Sequence, residues 1–162
     1  MSSPLVLTLD IGTSSTRAML FDAAARPLDG HVVQLPYRVQ TTADGGAEFD
    51  ADELFTAVVS VIDQLLAQAG PLAEQIGAVA ADTMVTNCFG LDAAGRPVTP
   101  ALTYADTRAA NAAGKLRREV GPEGAAQIHN RTGCLIHASY LPARFNWLAE
   151  ARPEWLATSA RW

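Results

Sequence analysis

The feature that most constrains this chain is a short apolar run that ends on an aspartate and turns at once through small hydroxyl residues. Leu5 to Leu9 is rich in strand formers, Asp10 closes it, Gly12-Thr13-Ser14-Ser15 follows, and Thr16 to Phe21 reads as a second strand. Gly12 lets backbone approach a ligand closely. Successive N–H groups in such a turn, with the hydroxyls of Thr13, Ser14 and Ser15, form a concave anion site. Asp10 has the oxygen chemistry that a hard cation such as Mg²⁺ prefers. An ordinary hairpin with Ser and Thr in its turn is the structural alternative. The cost of leaving a lone carboxylate at the end of an apolar strand weighs against it.

The rest of the chain alternates strand and helix signals. Asp22 to Asp29 reads as a turn, and His31 to Gln40 as a third strand, so the first forty residues form an antiparallel meander. Asp50 and Glu53 have capping-box spacing for a helix whose Leu54, Val58, Ile62 and Leu65/Leu66 share a face. Gly70-Pro71 ends that helix. Ile76 to Ala81 is apolar on both faces and reads as a buried fourth strand, with Asn87 to Leu91 as a fifth. Helices follow over Ala109–Val120, Glu123–Asn130 and Leu141–Glu150, the last with Leu141, Phe145 and Leu148 inward. No internal repeat is expected. The tail from Ala157 has no closing element, and Trp155 and Trp162 are expected to need later segments to pack against.

Composition excludes several classes. With 162 residues, 49% hydrophobic and 18% charged, the chain can bury a real core and is neither disordered nor rod-like. A net charge of −5 argues against nucleic acid as a partner. Lys115 is the sole lysine, which weakens any P-loop reading. The N-terminus lacks a basic leader and no apolar run nears a membrane span, so neither signal nor membrane is expected and the cytoplasm is the default. Cys88 and Cys134 read as two reduced thiols. His31, His129 and His137 lack metal-ligand spacing, and a triad of Ser14, His137 and Asp106 lacks a nucleophile elbow. Asp82 ends a strand as Asp10 does, and could share its site or cap a turn. Arg117-Arg118 reads as a solvated helix face.

Asp10-Ile11-Gly12-Thr13-Ser14-Ser15-Thr16-Arg17, followed by Ala18-Met19-Leu20-Phe21-Asp22, resembles the first phosphate motif of the FGGY carbohydrate kinases. Those are sugar and polyol kinases of the actin-like, ribonuclease H-like ATPase superfamily. Gly45-Gly46-Ala47-Glu48-Phe49-Asp50-Ala51-Asp52-Glu53-Leu54 resembles the family's Gly-Trp-x-Glu-Gln-Asp-Pro-Glu-Glu-Leu helix start. Tyr104-Ala105-Asp106-Thr107-Arg108 resembles its Trp-x-Asp-x-Arg motif. Arg131-Thr132-Gly133-Cys134-Leu135-Ile136-His137, with Arg144 and Trp147, resembles a stretch of gluconate-kinase-like members. Four motifs in register span essentially the whole chain.

The resemblance implies an α/β fold: a ribonuclease H-like (actin-like ATPase) half-domain with a mixed sheet, an N-terminal antiparallel meander and packed helices. It implies ATP and Mg²⁺ as cofactors and transfer of the γ-phosphate to a hydroxyl of a sugar or sugar acid. Asp10 would organise the metal and the transferring group. Gly12, Thr13, Ser14, Ser15 and Arg17 would face the nucleotide phosphates. Tyr104, in place of the usual Trp, would lie with Asp106 and Arg108 near the sugar, and Thr86 stands where members often carry a sugar-contacting His. The family's base and its adenosine-binding domain would lie beyond residue 162, so residues 1–162 are expected to be an incomplete N-terminal domain, inactive alone and prone to self-association. A noncatalytic phosphate- or partner-binding fragment and another actin-like ATPase are the competing expectations. The Glu48/Asp50 helix start and the Tyr104–Arg108 motif favour the sugar kinase over the latter.

Overall fold

The computed structural model describes residues 4–162. The chain falls into two compact units, residues 4–39 with 52–84, and residues 40–51 with 85–162.

The first unit is built on β1 (Leu5–Ile11), β2 (Ser15–Phe21), β3 (Pro27–Pro36) and β6 (Ile76–Thr83), in the sheet order β3-β2-β1-β6. β1 and β2 pair antiparallel, as do β2 and β3, while β6 runs parallel to β1. The mixed sheet and its meander are as expected. Helix α1 (Ala51–Ala69) supplies the crossover that a parallel pair requires. Its Val61, Leu65 and Ala69 pack on Leu5, Leu7, Ala18, Leu20 and Val33 of the sheet. The i, i+4, i+8 spacing of those three residues puts them on one stripe. Full burial of side chains such as Leu20 and Leu65 stabilises by roughly 1.5–3 kcal/mol each.

Three expectations for this unit are corrected. β3 begins at Pro27, not His31, because Pro is tolerated as the first residue of a strand and the preceding turn is tight. β6 is an edge strand exposed from Gly77 to Thr83, not a buried one. Its apolar run shows what its faces tolerate, not what covers them. Gly70-Pro71 does not stop the helical path; a 3-10 segment continues over Gly70–Gln75. By length and hydropathy alone, Ala51–Gln75 is the one helix among the described residues apolar enough to cross a membrane, while its Val61, Leu65 and Ala69 are buried in the core on the sheet. The apolar residues there are interleaved with Ser, Thr and Gln, so no continuous run revealed it.

The second unit has a small sheet, β4 (Gln40–Thr41), β5 (Ala47–Phe49) and β7 (Ala101–Leu102), all antiparallel. The expected fifth strand at Asn87–Leu91 is reduced to isolated bridges, Cys88 with Leu102 and Leu91 with Pro97 and Arg161. Helix α2 (Ala110–Thr132) is two helical pieces joined at Gly121, whose φ of 67° breaks the spiral where Gly-Pro was expected to. Helices α3 (Leu141–Ala151) and α4 (Pro153–Thr158) follow. Ala109, Ala113, Ala138 and Ala143 form a small-residue core with Leu116 and Trp147 against it. The tail does close on itself, against expectation. Leu91 N–H donates to Arg161 O at 2.9 Å, Trp162 packs edge-on to Phe145, and Trp155 packs edge-on to Trp147.

A short repeat, also unexpected, marks one turn in each unit: Asp22-Ala23-Ala24-Ala25-Arg26-Pro27 and Asp92-Ala93-Ala94-Gly95-Arg96-Pro97. In both, the aspartate accepts from the backbone N–H groups two and four residues on, and from the Arg Nε. Backbone hydrogen bonds lead, with Arg as a further cause, in holding both carboxyls below their ordinary range. The fourth residue is left-handed in each, Ala25 at φ 58° and Gly95 at φ 81°.

Candidate functional site

The hairpin of the first unit carries one candidate group. Gly12 N–H donates to Ser15 O at 3.0 Å, and Tyr37 N–H to Ser14 O at 2.9 Å, which fixes the turn from both sides. Tyr37 Oη donates to Gly12 O at 2.6 Å. Burial first, then the nearby Asp10 charge, push the Tyr37 phenol up to about 12. Asp10 and Arg17 are cross-strand partners, and Arg17 Nη2 meets Asp10 Oδ2 at 3.0 Å with both side chains about half exposed. Gln34 Nε2 donates to Ser15 Oγ at 2.8 Å. By contrast, the N–H groups and hydroxyls of Thr13 and Ser14 have no hydrogen-bond partner among the described residues. Gly12 is tight: a Cβ there would stand 3.3 Å from Ser15 O and 3.8 Å from Asp10 Oδ1. Asp82 is the register partner of Asp10 on β6, and its Oδ1 accepts from Thr83 N–H at 2.8 Å.

Of the residues singled out here, Asp10, Gly12, Thr13, Ser14, Ser15 and Arg17 are thus brought together. Thr13 and Ser14 present open donors, while Ser15 Oγ accepts from Gln34 of β3, Arg17 pairs with Asp10 and Gly12 N–H is used by the turn. Tyr37 was missed. Its position directly after Pro36, at the end of the strand facing the turn, was the available signal.

The second unit carries the other group. Tyr104 is 53% exposed near the start of the loop that follows β7. Its carbonyl accepts from Ser139 Oγ at 3.0 Å, and His137 Nδ1 lies 2.9 Å from the same hydroxyl. Thr86 has a left-handed backbone, φ 57°, which is uncommon outside glycine. Beside it, Asn87 Oδ1 is buried with no partner.

Asp106 and Arg108 were expected near the sugar, and the structure buries both side chains, paired with each other and with Glu48. Asp106 is 4% exposed, and its carboxylate accepts from Ala47 N–H at 3.3 Å and from Arg108 N–H at 3.0 Å. Arg108 Nη2 reaches Asp106 Oδ2 at 2.6 Å and Glu48 Oε2 at 2.5 Å. Its guanidinium stacks 4.9 Å from the Trp147 ring centroid. Burial works against the Arg108 charge, but the hydrogen bonds and charges of Asp106 and Glu48 outweigh it and hold the group above its ordinary value. Gly46 makes room: a Cβ there would stand 2.9 Å from the guanidinium carbon. The Gly45–Leu54 and Tyr104–Arg108 motifs therefore interlock through Glu48 and Arg108. Arg117 and Arg118 are exposed, as expected of a solvated helix face, and Arg117 also donates to Ile136 O at 2.8 Å, in the loop that carries His137. That loop edges an apolar cavity of about 430 Å³ lined by Leu116, Val120, Leu135 and Leu141, a poor lining for a polyhydroxylated ligand. Among the described residues no cluster of three or more His, Cys, Asp and Glu suits a metal.

The chain is similar to known carbohydrate kinases in both sequence and fold. The model for the FGGY family of carbohydrate kinases, N-terminal domain, matches residues 5–162. A xylulose kinase of Streptomyces coelicolor is 36% identical over 152 residues, covering 93% of this chain and 30% of that protein. A gluconokinase of Bacillus subtilis is 28% identical, covering 96% of this chain and 29% of that protein. The crystal structure of a xylulose kinase from Rhodospirillum rubrum superposes with a TM-score of 0.87 at 25% identity, over 96% of this chain and 31% of that one. The chain spans about 30% of the length of the curated relatives it matches.

Proposed function

We propose that this chain, which belongs to the FGGY family of carbohydrate kinases, forms the N-terminal part of an ATP-dependent kinase that phosphorylates a hydroxyl of a sugar or sugar acid. The observation that carries the reading is the hairpin: open N–H and hydroxyl donors on Thr13 and Ser14, next to a half-exposed carboxylate at a strand end.

The residues fit Mg²⁺–ATP by their chemistry. Mg²⁺ is usually held by one or two carboxylates, waters and substrate phosphates, not by a dedicated protein cage. Asp10 supplies one such carboxylate, about half exposed at the end of its strand. Mg²⁺–ATP would supply the phosphoryl group and offset the charge on its oxygens. Thr13 and Ser14 would donate to phosphate oxygens, and Arg17 could leave its exposed pairing with Asp10 at little cost, since such pairs are worth about 0–1 kcal/mol. Tyr37 holds Gly12 O and so keeps the turn closed as the ligand changes. Tyr104 would lay its ring against sugar C–H groups, with Thr86 beside the substrate. Asp106 and Arg108 would act from below, by fixing the loop that presents Tyr104. We further propose that residues 1–162 are an incomplete domain, that the segment alone does not phosphorylate sugars, and that it resides in the cytoplasm, where the free thiols of Cys88 and Cys134 would stay reduced.

The test is an ADP-release assay on the full-length product of the reading frame that encodes this chain, with xylulose, gluconate and glycerol as acceptors. Asp10→Asn is expected to lower kcat about a hundredfold, an electrostatic loss on the order of 3 kcal/mol, with the fold intact. Turnover near wild type at saturating Mg²⁺ removes Asp10 from the site.

A further inference from the structure

We infer that Arg144 is a positioning residue that sets the two candidate sugar-facing segments, Thr86–Cys88 and Leu102–Tyr104, in fixed relation to each other. This rests on the kinase reading above for what the segments contact, but not for how they are held.

Arg144 lies on α3 and is 2% exposed, among the most buried side chains described. No carboxylate among the described residues pairs with it. A buried guanidinium without a counter-ion is costly unless its N–H groups are satisfied. Here backbone carbonyls satisfy them. Nη1 donates to Thr86 O at 2.5 Å and to Leu102 O at 3.2 Å, and lies 3.4 Å from Cys88 Sγ. Nη2 donates to Thr103 O. One planar fork thus joins two stretches far apart in sequence.

The two stretches already meet at a single bridge. Cys88 N–H donates to Leu102 O at 3.1 Å, and Leu102 N–H to Cys88 O at 2.8 Å. Beyond that bridge no ladder continues, and the chain diverges to Thr86 on one side and Tyr104 on the other. Thr86 is held in the left-handed region, a conformation that a β-branched residue adopts only when its surroundings impose it. The Arg144 bond to its carbonyl is one such constraint. The same fork grips the carbonyl immediately before Tyr104. A lysine could not reproduce this, since a compact ammonium cannot address both sides at once with the reach of a planar guanidinium.

The experiment compares Arg144→Lys and Arg144→Met in the full-length gene product, and in the 162-residue chain for exchange. Kinetically, displacement of the two segments is expected to raise the sugar KM about tenfold or more while the ATP KM stays within about twofold. By hydrogen exchange, amides of residues 86–88 and 102–105 are expected to exchange faster, with those of β1 and β2 unchanged. If the Met variant does not fold, the Lys variant carries both measurements. A loss of kcat in proportion to folded protein, with both KM values unchanged, overturns the inference, as does unaltered exchange at the two segments. If the wild type phosphorylates no sugar, the kinase reading fails, and exchange alone decides whether Arg144 positions the segments.

Discussion

Replacing Asp106 with asparagine separates a residue that holds the loop from one that touches a ligand. Asp106 Oδ2 takes Arg108 Nη2 at 2.6 Å, and both carboxylate oxygens take Arg108 Nε, at 3.2 and 3.0 Å. Asparagine keeps one oxygen and turns an NH₂ toward the guanidinium. Arg108 would then rely on Glu48, the remaining carboxylate of the cluster. Breaking one side of a buried pair costs about 3–5 kcal/mol, and Glu48 argues for the lower end, about 3. For a chain of this size each kcal/mol lowers Tm by about 2–4 °C, so the expected fall is about 6–12 °C. Tryptophan fluorescence suits the measurement because all three Trp residues, Trp147, Trp155 and Trp162, lie in the second unit. Two of them stack near Arg108, with the guanidinium 4.9 Å from the Trp147 centroid and 6.0 Å from that of Trp155. Tyr104→Ala is the control: it leaves the cluster intact, so the melt should hold while the sugar KM of the full-length product rises. An Asp106→Asn variant that melts within about 2 °C of wild type would refute the assignment of Asp106 to the scaffold.

Further outcomes are expected at other positions. Tyr37 has its folded-state phenol raised to about 12 from an ordinary 10, so its contribution to stability is complete below pH 10 and is lost as pH rises toward 12; phenolate absorbance should show a last ionisation step that Tyr37→Phe removes, and its persistence in that variant would contradict the assignment. Ala25→Gly should stabilise and Gly95→Ala destabilise, each by about 0.5–1 kcal/mol, because the two turns share a left-handed fourth position; urea midpoints that move in the same direction would show that the turns are not equivalent. The exposed β6 edge, with Val79 67% exposed, should make the 162-residue chain associate as its concentration rises, and Val79→Lys should reduce this; a wild-type chain that sediments as a monomer throughout would contradict it.

The hairpin, the helix on the sheet and the break at Gly121-Pro122 were legible because each has a local cause: a turn residue, an apolar period or a backbone restriction. What was not legible depends on partners distant in sequence. β5 is three residues long and exists because Glu48 and Phe49 pair with Leu102 and Ala101. The inner face of α3 was read as Leu141, Phe145 and Leu148, yet Leu141 is exposed and Arg144 is buried in its stead. Periodicity counts an arginine as solvent-facing, and nothing near Arg144 in sequence announces the carbonyls that accept from it. The same limit explains Asp106 and Arg108: the motif was visible, but whether its charges face a ligand or one another is a matter of packing. For the hairpin, the motif marked the turn, and packing decided which of its donors stay open.

The order in which the two units use the chain bears on how the polypeptide matures as it is made. All of the first unit has been made once residue 84 is added. The second begins at residue 40, leaves, and resumes at 85. Glu48 must wait for Leu102, 54 residues later, to find its strand partner. At about 5–20 residues per second that is about 3–11 s of translation. During that interval Glu48 and the nascent β5 have no Arg108 and no β7, and the tail's bridge to Leu91 awaits Arg161. The second unit, which carries Tyr104 and Arg144, is thus the last part of the chain to be completed.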